Sequence, residues 1–343
     1  MNPMTASLSI LSTGLVTAAG LSAPAACAAI RAGASNPSQT RFMDSSGEWI
    51  MAHQVILDRP SRGYERLVQM VVMAITECLA KIPQPMWTNI PLLLCLAERS
   101  RPGRNHVLDE GIFEDIQRRL EVEFAPQSLI IPQGRVASNS ALSQARQMIR
   151  SGSTSMVLIA ATDSLLMWPT LSVYERSERL LTQENSNGFI PGEGAGAVLV
   201  ASPGRGPSLT CTGIGFGSEP AHIDSEDPLL GRGMAMTIAQ ALQEAACAIQ
   251  DIDFRITDVS GEQYYFKEAS LAVARLLRVR KESLDIWHAS ECIGETGAVA
   301  GLVGIAVAEA ACRKAYAPGP RILWHAANDD GQRTAAIFEF RTN

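Results

Sequence analysis

The sequence predicts a layered α/β body built from two similar halves, and three observations carry that reading. Strand-like and helix-like segments alternate along the 343 residues, the grammar of helices packed on a sheet. The alternation runs twice, with a break at the turn-rich stretch PGRGP at 203–207. A glycine-turn-helix segment stands in the same place in each half, once at Ser138 and once at Thr296, as a duplicated fold requires. The expected division is 1–204 for the first half and 205–343 for the second.

Each element has its local reason. Residues 7–11 read as a strand, and a turn over 14–20 leads into a helix with Ser22 as N-cap and Gly33 just past its end. A helix over 64–82 would set Leu67, Val71, Ala74, Ile75, Cys78, Leu79 and Ile82 on one face. A strand at 92–96, a charged helix at 109–124 and a short strand at 128–131 follow. The helix at 138–150, a buried-looking strand at 156–161 and a strand at 195–201 close the first half. The second half reads as a strand at 209–214, a helix at 233–249, a strand at 256–259, a helix at 267–277 and a strand at 286–288. An Ala-rich helix at 296–313 and strands at 322–325 and 334–340 complete it.

Hydrophobic residues make up 46% and charged residues 19%, an ordinary globular mix able to bury a large core. A net charge of −6 argues against nucleic acid and against an anionic membrane surface as partners. The seven cysteines, Cys27, Cys78, Cys95, Cys211, Cys247, Cys292 and Cys312, include no C-x-x-C pair. They read as reduced thiols of a cytoplasmic protein rather than disulfides or zinc ligands. No Lys or Arg precedes Arg31, and Gly14, Gly20 and Pro24 interrupt the apolar start, so a secretory signal is not expected. No segment reaches the ~18 uninterrupted apolar residues of a membrane span.

Around Ser138 the run GRVASNSALSQARQMIRSG reads as a tight turn into a helix, and NGFIPGEGAGAVLV follows at 187–200. Together they resemble a β-ketoacyl synthase of the thiolase superfamily, and the resemblance covers most of the chain. SILSTGLVTAAG resembles that family's first strand and turn, AAIRAG its first helix, and RSGSTSMVLIAATDS at 150–164 the strand that pairs across its dimer interface. GFIPGEGAGAVLV matches the family's G-F-V-x-G-E-G-A-G segment and is the most specific stretch. IGETGAVAGL at 293–302 matches I-G-H-T-x-A-A-A-G with Glu295 in place of histidine. Where the family reads V-E-A-H-G-T-G-T, this chain has Val259, Ser260, Gly261 and Glu262.

The resemblance implies a thiolase-like five-layer α/β/α/β/α fold and a homodimer joined through the strand at 156–161. It implies no cofactor and no metal. The partners it implies are an acyl carrier protein, a coenzyme A thioester or another protein subunit. It also places the site: Ser138, Glu262 and Glu295 stand at the positions of the family's Cys-His-His triad. The lysine expected five residues before Glu295 is Ser290, and the Gly-Phe-Gly-Gly loop reads NDDGQRT at 328–334. The chain is somewhat short for the family, which implies trimmed elements around the acyl channel.

Those substitutions argue against the parent chemistry. A cysteine at a helix N-terminus gains thiolate character from the backbone N–H groups and the dipole. A serine there needs an adjacent base, and His53, His106, His222, His288 and His325 all lie elsewhere in the alignment. Ionised, Glu262 and Glu295 only accept hydrogen bonds, and they would repel both a malonyl carboxylate and the developing enolate. Two carboxylates converging on one cavity do not both ionise unaided, so one should hold its proton above the usual glutamate range. The pair has three uses open to it. It can perform acid/base work with Ser138, hold a cation, or be neutralised by Arg333, Arg135 or Asn328 in a polar network without catalytic duty.

Plainer readings stand beside these. Ser138 suits an N-cap, and Gly192, Gly194 and Gly196 suit tight backbone packing against a helix. Glu219, His222, Asp224, Glu226 and Asp227 read as a solvated acidic loop, and Met70 and Met73 as core filling. Cys292, with Glu291 and Glu295 near it, is disfavoured as a displaced nucleophile. The leading function is a protein that no longer condenses and is retained as a binding or scaffold partner. One setting is beside an active subunit, as chain-length partners are; another is as an accessory of bacterial secretion, since ketosynthase-like proteins occur beside type VI adaptor and spike genes. The alternative is a serine-dependent acyltransferase or thioesterase acting on acyl carrier protein or coenzyme A thioesters through Ser138.

Overall fold

The computed structural model of the chain describes residues 7–105 and 107–342. It opens on β1 (Leu8–Thr17) and α1 (Ala23–Arg31). Ser22 caps α1 by accepting from the Ala25 amide at 3.4 Å, and Gly33 follows at a φ of +65°. A hairpin of β2 (Ser38–Met43) and β3 (Trp49–Ala52) precedes α2 (Gly63–Cys78). Then come β4 (Leu92–Leu96), α3 (Leu108–Leu120), β5 (Leu129–Pro132), α4 (Ala137–Arg150), β6 (Met156–Ser164), α5 (Trp168–Arg176) and β7 (Glu193–Ala201). The second half contains β8 (Ser208–Ser218), α6 (Arg232–Glu244), β9 (Phe254–Thr257), α7 (Gln263–Leu276), β10 (Ile286–His288) and α8 (Ser290–Ile293). It ends with α9 (Ala300–Arg313), β11 (Arg321–Ala327) and β12 (Gln332–Arg341).

The strand order is β10-β9-β11-β12-β8-β1-β7-β6-β4-β5. From β1 outward the neighbours run β7, β6, β4, β5, paired antiparallel, antiparallel, parallel, parallel. From β8 outward they run β12, β11, β9, β10 with the same sequence of directions. Among the described residues, the two five-stranded arrays pair where Leu8 and Ser9 of β1 meet Cys211 and Thr210 of β8. One core, rich in residues of α4 and α9, lies between the arrays. A second lies under α2 and α3, and a third under α6 and α7. Outer helices, array, inner helices, array and outer helices make the five layers of a thiolase-like fold.

Three local expectations need correction. β1 does not turn at Gly14 but runs on to Thr17, pairing with β7 the whole way. It can do so because α2 crosses so closely there that a side chain at Gly14 would overlap the Ala74 carbonyl. The β2–β3 hairpin and α5 have no counterpart in the sequence reading, because neither carries a long apolar period. The strand at 156–161 cannot join two subunits: β6 is flanked by β7 on one edge and β4 on the other. The unpaired edges belong to β5 and β10. Among the described residues no helix is long and apolar enough to cross a membrane.

Candidate functional site

The parallel strands of both halves end on one side of the molecule, and chemistry-bearing residues gather just beyond those ends, where α/β sheets commonly bind ligands. Gly134 follows β5 and opens a single 3₁₀ turn, Gly134–Val136, that runs into α4. Its φ of +56° and its press against the Glu98 carboxylate both require glycine. Ser138 is the second residue of α4 and is fully buried, and its Oγ has no hydrogen-bond partner among the described residues. It is not an N-cap, since the residue before the helix is Val136 and no side chain caps this end. Gly301 of α9 lies directly against it, so that a Cβ at Gly301 would overlap the Ser138 hydroxyl.

Glu262 and Glu295 do converge, lining one narrow crevice together. Glu262 is the residue before α7, and Arg179 clamps it through two hydrogen bonds of 2.7 and 2.9 Å. Glu295 is fixed by its backbone, which exchanges bonds with Ile190 and Gly192 of the GFIPGEG segment at 2.8 and 2.9 Å. Its carboxylate accepts from the Gly297 amide at 2.8 Å and the Ser260 hydroxyl at 2.9 Å, with Arg135 at 3.5 Å. Asp329, in the loop after β11, accepts from Arg179 at 2.7 Å and also from Arg135 and the Tyr265 hydroxyl. Arg101 completes the set, bridging Asp163 at 2.7 Å and Glu98 at 2.6 Å. The crevice has a volume of about 10 Å³, room for about one water molecule. Ser138 lies behind it and does not line it.

Burial pushes the Glu262 carboxyl above its ordinary range despite Arg179, in line with the expectation that one acid of the pair holds its proton high. Burial raises Asp258 to about 6, against the pull of Arg135. Asp329 goes the other way: burial would raise it, but Arg135 and Arg179 together hold it well below the carboxylate range. Salt-bridged carboxylates and guanidiniums thus line the crevice.

Comparison with known proteins bears on the fold. Residues 136–203 match the family model "Beta-ketoacyl synthase, N-terminal domain". Among solved structures, the ishigamide ketosynthase/chain length factor superposes with a TM-score of 0.79 at 17% identity, over 98% of this chain and 100% of that one. A type II polyketide ketosynthase in the AntDE:AntF complex with its acyl carrier protein gives 0.78 at 16%, over 98% and 99%. The complex of the ketosynthase ApeO with its chain length factor ApeC from Xenorhabdus doucetiae gives 0.77 at 14%, over 99% and 100%. This chain has the ketosynthase fold. No curated protein matches it in sequence.

Within this ketosynthase-like centre, the neutralising partners differ from those expected. Arg135 does reach Glu295, but Glu262 is held by Arg179, which the sequence reading did not single out. Arg333 is spent on Glu268 at 2.8 Å, and Asn328 donates to the Gln133 carbonyl at 2.9 Å. Arg179 and Asp329 escaped notice because each lies in a loop and their pairing spans 150 positions. The one signal was the acidic pair Asp329–Asp330 in the segment NDDGQRT at 328–334.

Other assignments resolve as follows. A Cβ at Gly192 would meet the Ile293 carbonyl at the end of α8 and one at Gly196 would press on Leu302 of α9, so both pack on a helix, while Gly194 meets the Val16 carbonyl of β1. Glu219 is not solvated: it is buried and accepts from the Gly233 amide at the start of α6 at 2.8 Å. Cys292 is buried, and desolvation with Glu291 raises its pKa. His288 approaches the centre but pairs with Ser290 at 3.3 Å and Glu291 at 3.5 Å, while His53 and His325 are buried in the interior. His106 lies outside the described residues, as do residues 1–6 of the apolar start.

Proposed function

We propose that this chain is a ketosynthase-fold protein that does not condense acyl groups and acts as a binding or scaffold subunit. One observation carries the proposal: the Ser138 hydroxyl is fully buried against Gly301 and, among the described residues, has no base or other hydrogen-bond partner. An alcohol in that state is neither activated nor reachable. The same atom removes the support for serine-dependent acyl transfer. The carboxylates in place of histidines add to the case, because they offer no neutral donor to a forming oxyanion.

The partner we propose is a second thiolase-fold chain, a copy of this one or a relative, joined at the outer edge of β5. That edge is unpaired in the chain, and an unpaired edge invites a further strand. The similar solved structures include ketosynthases in complex with a chain length factor and with an acyl carrier protein, so a carrier is the second partner of this reading.

The test is intact-protein mass spectrometry after incubation with acyl- and malonyl-loaded carrier protein and coenzyme A. An unchanged mass and no release of CO₂ are expected. An adduct that disappears in Ser138→Ala, or CO₂ evolution, overturns the reading. Light scattering of the chain and of Ile130→Pro tests the β5 edge: the dimer mass should fall to that of a monomer in the variant.

A further inference from the structure

A second space lies away from Ser138, which does not line it. It is a cavity of about 370 Å³ between α9 and the β9–β10 edge, within the range of small-molecule sites, roughly 300–1,000 Å³. Its walls are apolar and aromatic, chiefly Ile256, Ile286, Trp287, Val303, Val307 and Trp324. Its inner end reaches Thr257, Asp258 and Glu295 from the side away from the crevice.

Two features of the lining call for a ligand of particular chemistry. At the inner end, Asp258 and Glu295 share a single guanidinium, Arg135, at 3.9 and 3.5 Å, and Arg135 is also paired with Asp329. Asp329 also has Arg179, but Asp258 and Glu295 have no guanidinium other than Arg135 among the described residues, so a further positive charge would form charge-assisted hydrogen bonds there. On the wall, the indole Nε1 of Trp324 is buried, in a residue 2% exposed, and has no partner among the described residues; a buried donor of that kind is costly unless something accepts from it. Trp287 and Tyr316 stack on each other with centroids 6.3 Å apart and form an aromatic wall, and the Arg31 guanidinium already covers the Tyr316 ring at 4.1 Å from its centroid. The mouth carries Arg31 and Glu291, one charge of each sign, so selection by charge falls to the inner end.

We propose that this cavity binds a small organic amine with an apolar body and a neutral oxygen acceptor, an amino alcohol being the simplest member of the class. The ammonium lies toward Asp258 and Glu295, the oxygen accepts from Trp324, and the apolar body fills the space along α9. Ser138 does not line the cavity, so the proposal stands apart from any acyl chemistry. It gives the chain a ligand site that shares Glu295 with the narrow crevice but does not include Ser138.

The probes are phenylalaninol, phenethylamine and 3-phenylpropanoate, titrated at pH 7.5 with calorimetry and tryptophan fluorescence as readouts. Phenylalaninol should bind saturably and more tightly than phenethylamine, and 3-phenylpropanoate should bind at least about tenfold more weakly than either, a gap of about 1.4 kcal/mol. Asp258→Asn should weaken amine binding about tenfold. Ala300→Phe and, independently, Val307→Phe should abolish it by filling the space, with circular dichroism showing which variants fold. No saturable amine binding by the wild type, equal or better binding of the acid, or binding that survives in every folded variant overturns the proposal.

Discussion

Ser138 and Gly301 occupy the same step of two successive copies of one local structure, and they touch. Gly134–Val136 turns into Ala137–Arg150, and Gly297–Val299 turns into Ala300–Arg313. The two leading glycines share a left-handed backbone, with φ of +56° and +55°. Ser138 and Gly301 are each the second residue of the helix that follows, and a side chain on both would overlap. The residue with the side chain is therefore sealed by the residue without one.

Gly301→Ala should destabilise the fold by about 1–3 kcal/mol through overpacking, although alanine is normally the better helix residue. Ser138→Gly combined with Gly301→Ala moves the side chain to the other helix and should recover most of that loss. Urea unfolding of the four proteins gives the coupling directly; additive effects would remove the claimed contact.

Restoring the sulfur should not restore reactivity. In Ser138→Cys the thiol would sit in a fully buried position without a base, and the thiolate is the reactive form. Iodoacetamide on the native variant should label the partly exposed Cys247 and Cys312 before position 138. Rapid, selective labelling at 138 contradicts a sealed centre.

Asp258 gives the fold a signed pH dependence. Burial raises its folded pKa to about 6, against an unfolded value of about 3.9. Between those values the folded state holds the extra proton, so this group's contribution to stability is present at low pH and is lost as pH rises through about 6. Asp258→Asn should be more stable than the wild type by about 2–3 kcal/mol at pH 8, with the difference fading toward pH 4. Thermal or urea unfolding across that range checks it, and a gap that widens on acidification reverses the sign and refutes it.

Arg179 holds two acids at once, Glu262 and Asp329. Arg179→Ala leaves both buried without it and should cost about 3–5 kcal/mol. Glu262→Gln removes a carboxylate that burial already disfavours as a charge, and should cost clearly less. Equal losses in urea unfolding would mean that the network is not organised around Arg179.

Much of the architecture was legible along the chain because it rests on short-range periodicity. The strands at 92–96 and 286–288 have the bounds expected, and α4 begins within a residue of Ser138. The length of β1 was not legible, since its course past Gly14 depends on how closely α2 crosses it. Nor was the position of β6 inside its array, which depends on pairings with β4 and β7 that no local pattern encodes.

By itself, the order of residues determined the repeating strand–helix grammar and the residue types at 138, 262 and 295. Those follow from side-chain period and from identity, which are local properties. Only the tertiary structure decided what these residues meet. Arg179 reaches Glu262 across 83 positions, and Gly301 of the second half closes over Ser138 of the first. A hydroxyl or a carboxylate takes its chemistry from its neighbours and its exposure to water, and here the neighbours come from remote segments that only packing brings together.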